Sequence, residues 1–271
     1  MAAPNAITPR QLARLVGTPN SPVLIDIRID PDFADDPRII PGSIRHSHKD
    51  IDGLKALIGS GLGVIICQKG KKLSQGVVSW LRSAGCAAEY LEGGHFAWRD
   101  MPDTVLVDLT ALPAPVNGSS LWVTRHRPKI DRIACPWLIR RFVDPMARFL
   151  FVAPSEIQGV AENFDATPFD VDGAFFGHRG EKCTFDAMLE AFGIRSEPLD
   201  RLANIVRAAD TNQHDAAPQA AGLLALSVGL SRQYKDDHQQ LEAGMSLYDA
   251  LYRWARDGFE ETHDWPTGHG Q

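Results

Sequence analysis

Residues 67–72 read Cys-Gln-Lys-Gly-Lys-Lys and follow the short apolar run Gly63-Val64-Ile65-Ile66. A cysteine attacks as its thiolate, and a thiolate is favoured where positive charge and free backbone N–H groups surround the sulfur. Lys69, Lys71 and Lys72 supply charge, and Gly70 gives the backbone freedom for a loop whose amides curl toward Cys67. The same features would draw in an anionic substrate. The plainer alternative is a small apolar residue closing a strand beside a solvated lysine turn. The order of strand, cysteine, basic glycine-containing loop and helix favours chemistry. It casts Cys67 as nucleophile and Gln68, Lys69, Gly70, Lys71 and Lys72 as an anion cradle.

A second group of chemical residues lies further along. Asp210 and His214, in "RAADTNQHDAAPQ", are four apart and share one face if a helix runs that far, a geometry able to bind a divalent metal. His178, in "GHRGEKCTFD", would complete a mixed histidine and carboxylate site, with Cys183 or Cys135 as an additional thiolate. None of these pairs has zinc-finger spacing. A third cluster, Arg125, His126, Arg127, Lys129, Arg132, Arg140 and Arg141, reads either as the basic polar face of a helix or as an oxyanion or nucleic-acid contact.

The elements that must position these residues fall into two halves, as 271 residues suggest. Over 1–108, strands at "VLIDIR" (23–28), "GVIIC" (63–67) and "AAEYL" (87–91) alternate with helical stretches. One helix is capped by Thr8 with Pro9 at its first position, one covers "DGLKALIGS", and one runs from Leu73 to Ala84. Such alternation predicts a parallel sheet with helices on both faces, and "IIPGSIRHS" reads as a turn and connector. Residues 109–120, "LTALPAPVNGSS", form the expected linker. Residues 121–271 form a helix-rich α+β second domain. Strands are expected at "LWVTR" (121–125) and "RFLFVAP" (148–154), with a third at "AFFGHRG" (174–180). Helices are expected at 199–210, 219–234 and 237–259, the last with a core-facing stripe of Leu241, Met245, Tyr248, Tyr252 and Ala255. Pro136 implies that a helix near it starts late or is kinked.

A net charge of −6 argues against a general nucleic-acid coat. No apolar run approaches the roughly 18 residues of a membrane span, and "MAAPNAITPRQ" lacks the apolar core of a signal peptide, so the expected location is the cytoplasm. Cys67, Cys86, Cys135 and Cys183 lie far apart, which in a reducing compartment argues against disulfides.

With these residues in view, the first half resembles the rhodanese (sulfurtransferase) domain family. The six-residue "CQKGKK" loop, with Cys67 first and a basic Lys72 sixth, matches the family's active-site loop in length. "LIDIR" (24–28), "IPGSI" (40–44) and "YLEGGHFAW" (90–98) match its flanking motifs in order. The resemblance implies that Cys67 takes sulfur from a small anionic donor, holds it as a persulfide and passes it to a thiol acceptor. Asp26 and Arg28 are then a supporting ion pair at the edge of the site. Two features depart from the common pattern or limit it. Gln68 stands where active members often carry arginine, and a lysine lacks the bidentate fork of arginine at the sixth position. The related dual-specificity phosphatases place an arginine where this chain has Leu73, so phosphatase chemistry is not expected.

The second half, through "RPKIDRIACPWLIRRFVDP", "TPFD", "HRGEKCTFD", "IVRAADT" and "LYDALYRWARD", resembles the C-terminal domain of the chromate-resistance protein family. That resemblance implies a helix-rich domain associated with chromate stress and, in some members, with transcriptional control. The leading expectation is a sulfurtransferase-like protein linked to chromate or oxyanion stress. Two alternatives stand beside it: a chromate- or redox-responsive regulator built on a non-catalytic rhodanese fold, and a metal-dependent protein using His178, Asp210 and His214.

Overall fold

The computed structural model describes residues 5–261; positions 1–4 and 262–271, which the sequence assigned to the ends of the two domains, lie outside the described residues. The first unit runs β1 (Ala6–Ile7), α1 (Pro9–Ala13), β2 (Val23–Asp26), α2 (Asp30–Ala34), β3 (Ser43–Arg45), α3 (Ile51–Ile58), β4 (Leu62–Ile66), α4 (Lys72–Ser83), β5 (Ala87–Leu91) and α5 (Gly94–Arg99). Its five strands pair in the order β1-β5-β4-β2-β3, every pair parallel.

A strand at the centre of such a sheet is buried on both faces, so its residues are apolar in both phases of the pleat. In β4, Val64 and Ile66 join Leu12, Leu24 and Trp98 on one side. Ile65 and Cys67 join Ile25, Leu54, Val77 and Leu81 on the other. The register sets Asp26 beside Ile66, so the ends of β2 and β4 finish level and the residues after them share one edge. In parallel sheets that edge is where loops build sites.

Two strands were not legible in the sequence. β1 is two residues long, and β3 lies inside the segment that reads as a connector. Both are edge strands, too short for a period-two pattern to register. The first helix forms as its sequence predicts. Thr8 and Gln11 make a reciprocal capping box ahead of Pro9.

The second unit contains β6 (Leu121–Arg125), α6 (Asp131–Leu138), β7 (Arg148–Val152), α7 (Ile157–Phe164), β8 (Thr167–Pro168), α8 (Thr184–Ala191), α9 (Glu197–Asp210), α10 (Ala220–Gln233) and α11 (Asp237–Asp257). Its sheet has the order β7-β6-β8, again parallel. The third strand is not "AFFGHRG". That stretch contributes only isolated bridges, Phe169 with Phe176 and Arg179 with Lys182, and Thr167–Pro168 pairs with β6 instead. Pro136 lies inside α6, which starts at Asp131 and passes directly into a wider π turn over Ile139–Val143. The lost N–H at Pro136 and the clash of its ring thus sit next to a local loosening of the helix. Trp137 is fully buried among Phe142, Phe185, Tyr248 and Tyr252 at the centre of this core, and the α11 stripe meets it as its spacing predicts.

The two units touch closely. The Gly42 amide donates to the Phe142 carbonyl at 2.7 Å, and Ile39, which exchanges bonds with Val107 just before the connecting segment, packs in the second core. The Arg256 guanidinium donates to the Arg14 carbonyl at 3.1 Å. The connecting segment is itself anchored, with Leu109, Ala111 and Leu112 packed against the second core.

Candidate functional site

Cys67 is the first residue beyond β4, and residues 68–71 turn continuously before α4 begins at Lys72. Cys67 is 5% exposed, and its Sγ lies 3.2 Å from Ser74 Oγ on the first turn of α4. Ser74 is fully buried and also reaches the Lys71 carbonyl, so it ties the nucleophile candidate to the loop. Lys69, Lys71 and Lys72 are exposed around a buried Gly70.

The loop is held by its neighbour rather than by its own side chains. Its carbonyls at Cys67 and Gln68 accept from the amides of His95 (2.9 Å) and Phe96 (3.1 Å) at the start of α5. Gly70 has φ +62°, and a Cβ there would meet the Gly93 amide nitrogen at 2.6 Å. At Gly94, also at φ +62°, a Cβ would meet the Gly70 nitrogen at 2.5 Å. Both glycines are therefore required by backbone conformation and by close approach at once. Gln75 Nε2 donates to the Gly70 carbonyl, while Gln68 reaches outward to Asp35 at 3.5 Å.

At the same edge, Asp26 and Arg28 form a buried ion pair of 2.6 Å. Two further guanidinium donors of Arg28 go to the carbonyls of Asp36 and Arg38. That side chain is thus committed to the fold. His95 is fully buried beside this network, with Nε2 3.3 Å from Asp36 and Nδ1 without a partner. Burial, with Arg28 nearby, lowers the His95 pKa and keeps the ring neutral. Ser74 and His95 were not singled out in the sequence. The spacing of Ser74 on the helix after the loop, and the Gly-Gly-His triplet at 93–95, are the signals that mark them.

In the second unit, His178 and Asp210 do come together, with His178 Nε2 3.1 Å from Asp210 Oδ2. His214 does not join them. Helix α9 ends at Asp210, Asn212 turns the chain with φ +58°, and His214 lies in a separate short turn over His214–Ala216. The four-residue spacing works only on a continuous helix, and the helix ends at Asp210 itself, four residues short of His214. Cys135 and Cys183 are buried thiols held well above their usual pKa by desolvation, and neither belongs to the ligand atoms that gather at His178. Instead Asp131 and Asp170 complete the group. His178 Nε2 lies 3.6 Å from Asp131 and 3.5 Å from Asp170.

The basic stretch is largely committed to its own domain. Arg125 and Arg132 face Asp170, Arg140 pairs with Glu242, and Arg141 grips both oxygens of Asp249 at 2.8 Å. Arg127 donates to the Tyr234 carbonyl. Among the described residues, no helix is long and apolar enough to cross a membrane.

Parts of the chain are similar to known proteins. Protein ChrB of Cupriavidus metallidurans is 35% identical over 132 residues, which cover 48% of this chain and 39% of the relative. The chain thus spans about two fifths of the length of the curated relative it matches. Among solved structures, a rhodanese-like domain protein from Staphylococcus aureus is 27% identical, covering 36% of this chain and 94% of its own, with a TM-score of 0.32. A rhodanese-related protein from Thermoplasma volcanium is 18% identical, covering 38% and 97%, with a TM-score of 0.33. Residues 122–255, most of the second unit, match the family described as ChrB, C-terminal domain.

Proposed function

We propose that the first unit is a rhodanese-type sulfurtransferase acting through Cys67, and that its fusion to a ChrB C-terminal domain ties this chemistry to chromate or related oxyanion stress. The observation that carries the reading is the seat of Cys67. It stands at the carboxyl end of the central strand, at the head of a six-residue loop fixed from behind by Gly93, Gly94 and His95.

In the proposed reaction the Cys67 thiolate attacks the outer sulfur of a sulfane donor. The donor's sulfur–sulfur bond breaks, its remainder leaves as an anion, and Cys67 holds a persulfide. An acceptor thiolate then attacks the outer sulfur and frees Cys67. Lys69, Lys71 and Lys72 raise the local concentration of anionic donor, and the loop backbone offers N–H groups to the sulfur anion. Ser74 Oγ lies 3.2 Å from the sulfur, and turning its single hydroxyl hydrogen from the Lys71 carbonyl to the sulfur would stabilise the thiolate form. Asp26 and Arg28 hold the edge of the site and take no part in sulfur transfer.

Regulation through direct nucleic-acid contact has less support. Arg125, Arg132, Arg140 and Arg141 each face a carboxylate of the second unit, and releasing them would sacrifice those pairs. A turnover assay tests the main reading. Supplied with thiosulfate and dithiothreitol, the full chain should release sulfide catalytically, and Cys67→Ser should reduce the rate to background. Equal rates for the two proteins would contradict it.

A further inference from the structure

We propose that Asp131, Asp170, His178 and Asp210 form a divalent-cation site in the second unit, independent of Cys67. The four residues come from separate parts of the chain. Asp131 opens α6, Asp170 follows β8, His178 lies in the loop before α8, and Asp210 closes α9. One ligand atom from each can be chosen so that all lie within 4.8 Å of one another. Ligands bound at about 2.0–2.6 Å to one cation lie roughly 3–3.5 Å apart when adjacent and 4–5 Å apart when opposite. The separations from His178 Nε2 to the three carboxylates, 3.1, 3.5 and 3.6 Å, match adjacent ligands.

Clustered carboxylates alone do not make a site, and Asp131 supplies the independent observation. Its side chain is wholly buried, with Oδ2 accepting from the Thr184 amide at 2.6 Å and lying against His178, while Oδ1 has no hydrogen-bond partner. A buried carboxylate oxygen without a partner is costly, and a bound cation would supply the partner. The nearby guanidiniums do not fill that role. Arg125 and Arg132 both face Asp170, and among the described residues neither Asp131 nor Asp210 has an arginine or lysine within ion-pair distance.

The surroundings hold the ligands in place as metal sites require. Thr184 bonds Asp131 through its amide and Asp170 through its hydroxyl at 3.0 Å. An open cleft of about 490 Å³, bordered by Arg125, Arg132, His178 and Asp210, gives an ion and its water ligands a way in. Three carboxylates with one imidazole, and no thiolate, suit a manganese- or iron(II)-like cation better than a thiolate-bound zinc.

The test is titration of the chelator-treated full chain with Mn²⁺, following free Mn²⁺ by electron paramagnetic resonance and melting temperature in parallel. One Mn²⁺ should bind per chain and raise the melting temperature. His178→Ala and Asp210→Asn should each weaken binding by about tenfold or more. Cys67→Ser should bind as the wild type does. His178 is partly exposed in a loop, and His178→Gln serves the same purpose should the alanine variant not fold. Absence of saturable Mn²⁺ binding, or binding unchanged in the His178 and Asp210 variants, would overturn the proposal, as would its loss in Cys67→Ser.

Discussion

The backbone amide of His95 donates to the carbonyl of Cys67 at 2.9 Å, so the turn that follows β5 carries the residue at the end of β4. The nucleophile candidate is positioned by a second loop, through main-chain bonds and two glycines. This explains why a cysteine loop of three lysines, which would repel one another alone, keeps one shape.

That dependence predicts a cost for bulk at Gly70 and Gly94. Gly70→Ala and Gly94→Ala should each lower stability by about 2 kcal/mol or more, since a left-handed φ and a backbone clash act together. Gly76→Ala is the matched control. A Cβ at Gly76 meets nothing within 4 Å on helix α4, and the change should stabilise by about 0.5–1 kcal/mol. Urea midpoints of the three variants check this, and equal effects at all three positions would contradict it.

Ser74 should matter to rate more than to fold. Its hydroxyl lies on Cys67 Sγ, and losing one hydrogen bond to a sulfur anion should slow persulfide formation about tenfold, near 1.4 kcal/mol. Single-turnover kinetics of Ser74→Ala with a sulfane donor measure the effect. An unchanged rate would remove Ser74 from the site.

His95 predicts a pH dependence of stability. It is faced by Asp36, Asp26 and Arg28, and burial with Arg28 outweighs the carboxylates and lowers its pKa from 6.5. The unfolded chain therefore takes up a proton near pH 6.5 that the folded chain resists. Stability is complete above that value and falls as pH drops toward the lowered folded pKa, by at most about 1.4 kcal/mol per pH unit. Chemical unfolding between pH 7.5 and 5.5 should show this loss in the wild type and a flatter profile in His95→Gln. Parallel profiles would contradict the assignment.

The Cys67 loop was legible in the sequence because its parts are contiguous: strand, cysteine, basic glycine loop and helix follow one another along the chain. The residues that hold it were less legible. Gly93, Gly94 and His95 reach the loop only through folding, and the two-residue β1 beside β5 leaves no periodic trace. In the second unit, His178 and Asp210 were identified, but Asp131 resembled an ordinary acidic residue at a helix start and Asp170 an ordinary loop residue. Local spacing favoured His214, and that inference assumed a helix running beyond Asp210. Sites assembled from four separate segments carry little local pattern, whereas a site on one loop carries most of it.

The central claim is tested most directly by the intact mass of the full chain after incubation with a sulfane-sulfur donor and removal of excess reagent. The account predicts one added sulfur atom per chain, removed by dithiothreitol and absent in Cys67→Ser. No added mass with thiosulfate, polysulfide or a persulfidated small thiol, or the same addition in Cys67→Ser, would contradict it.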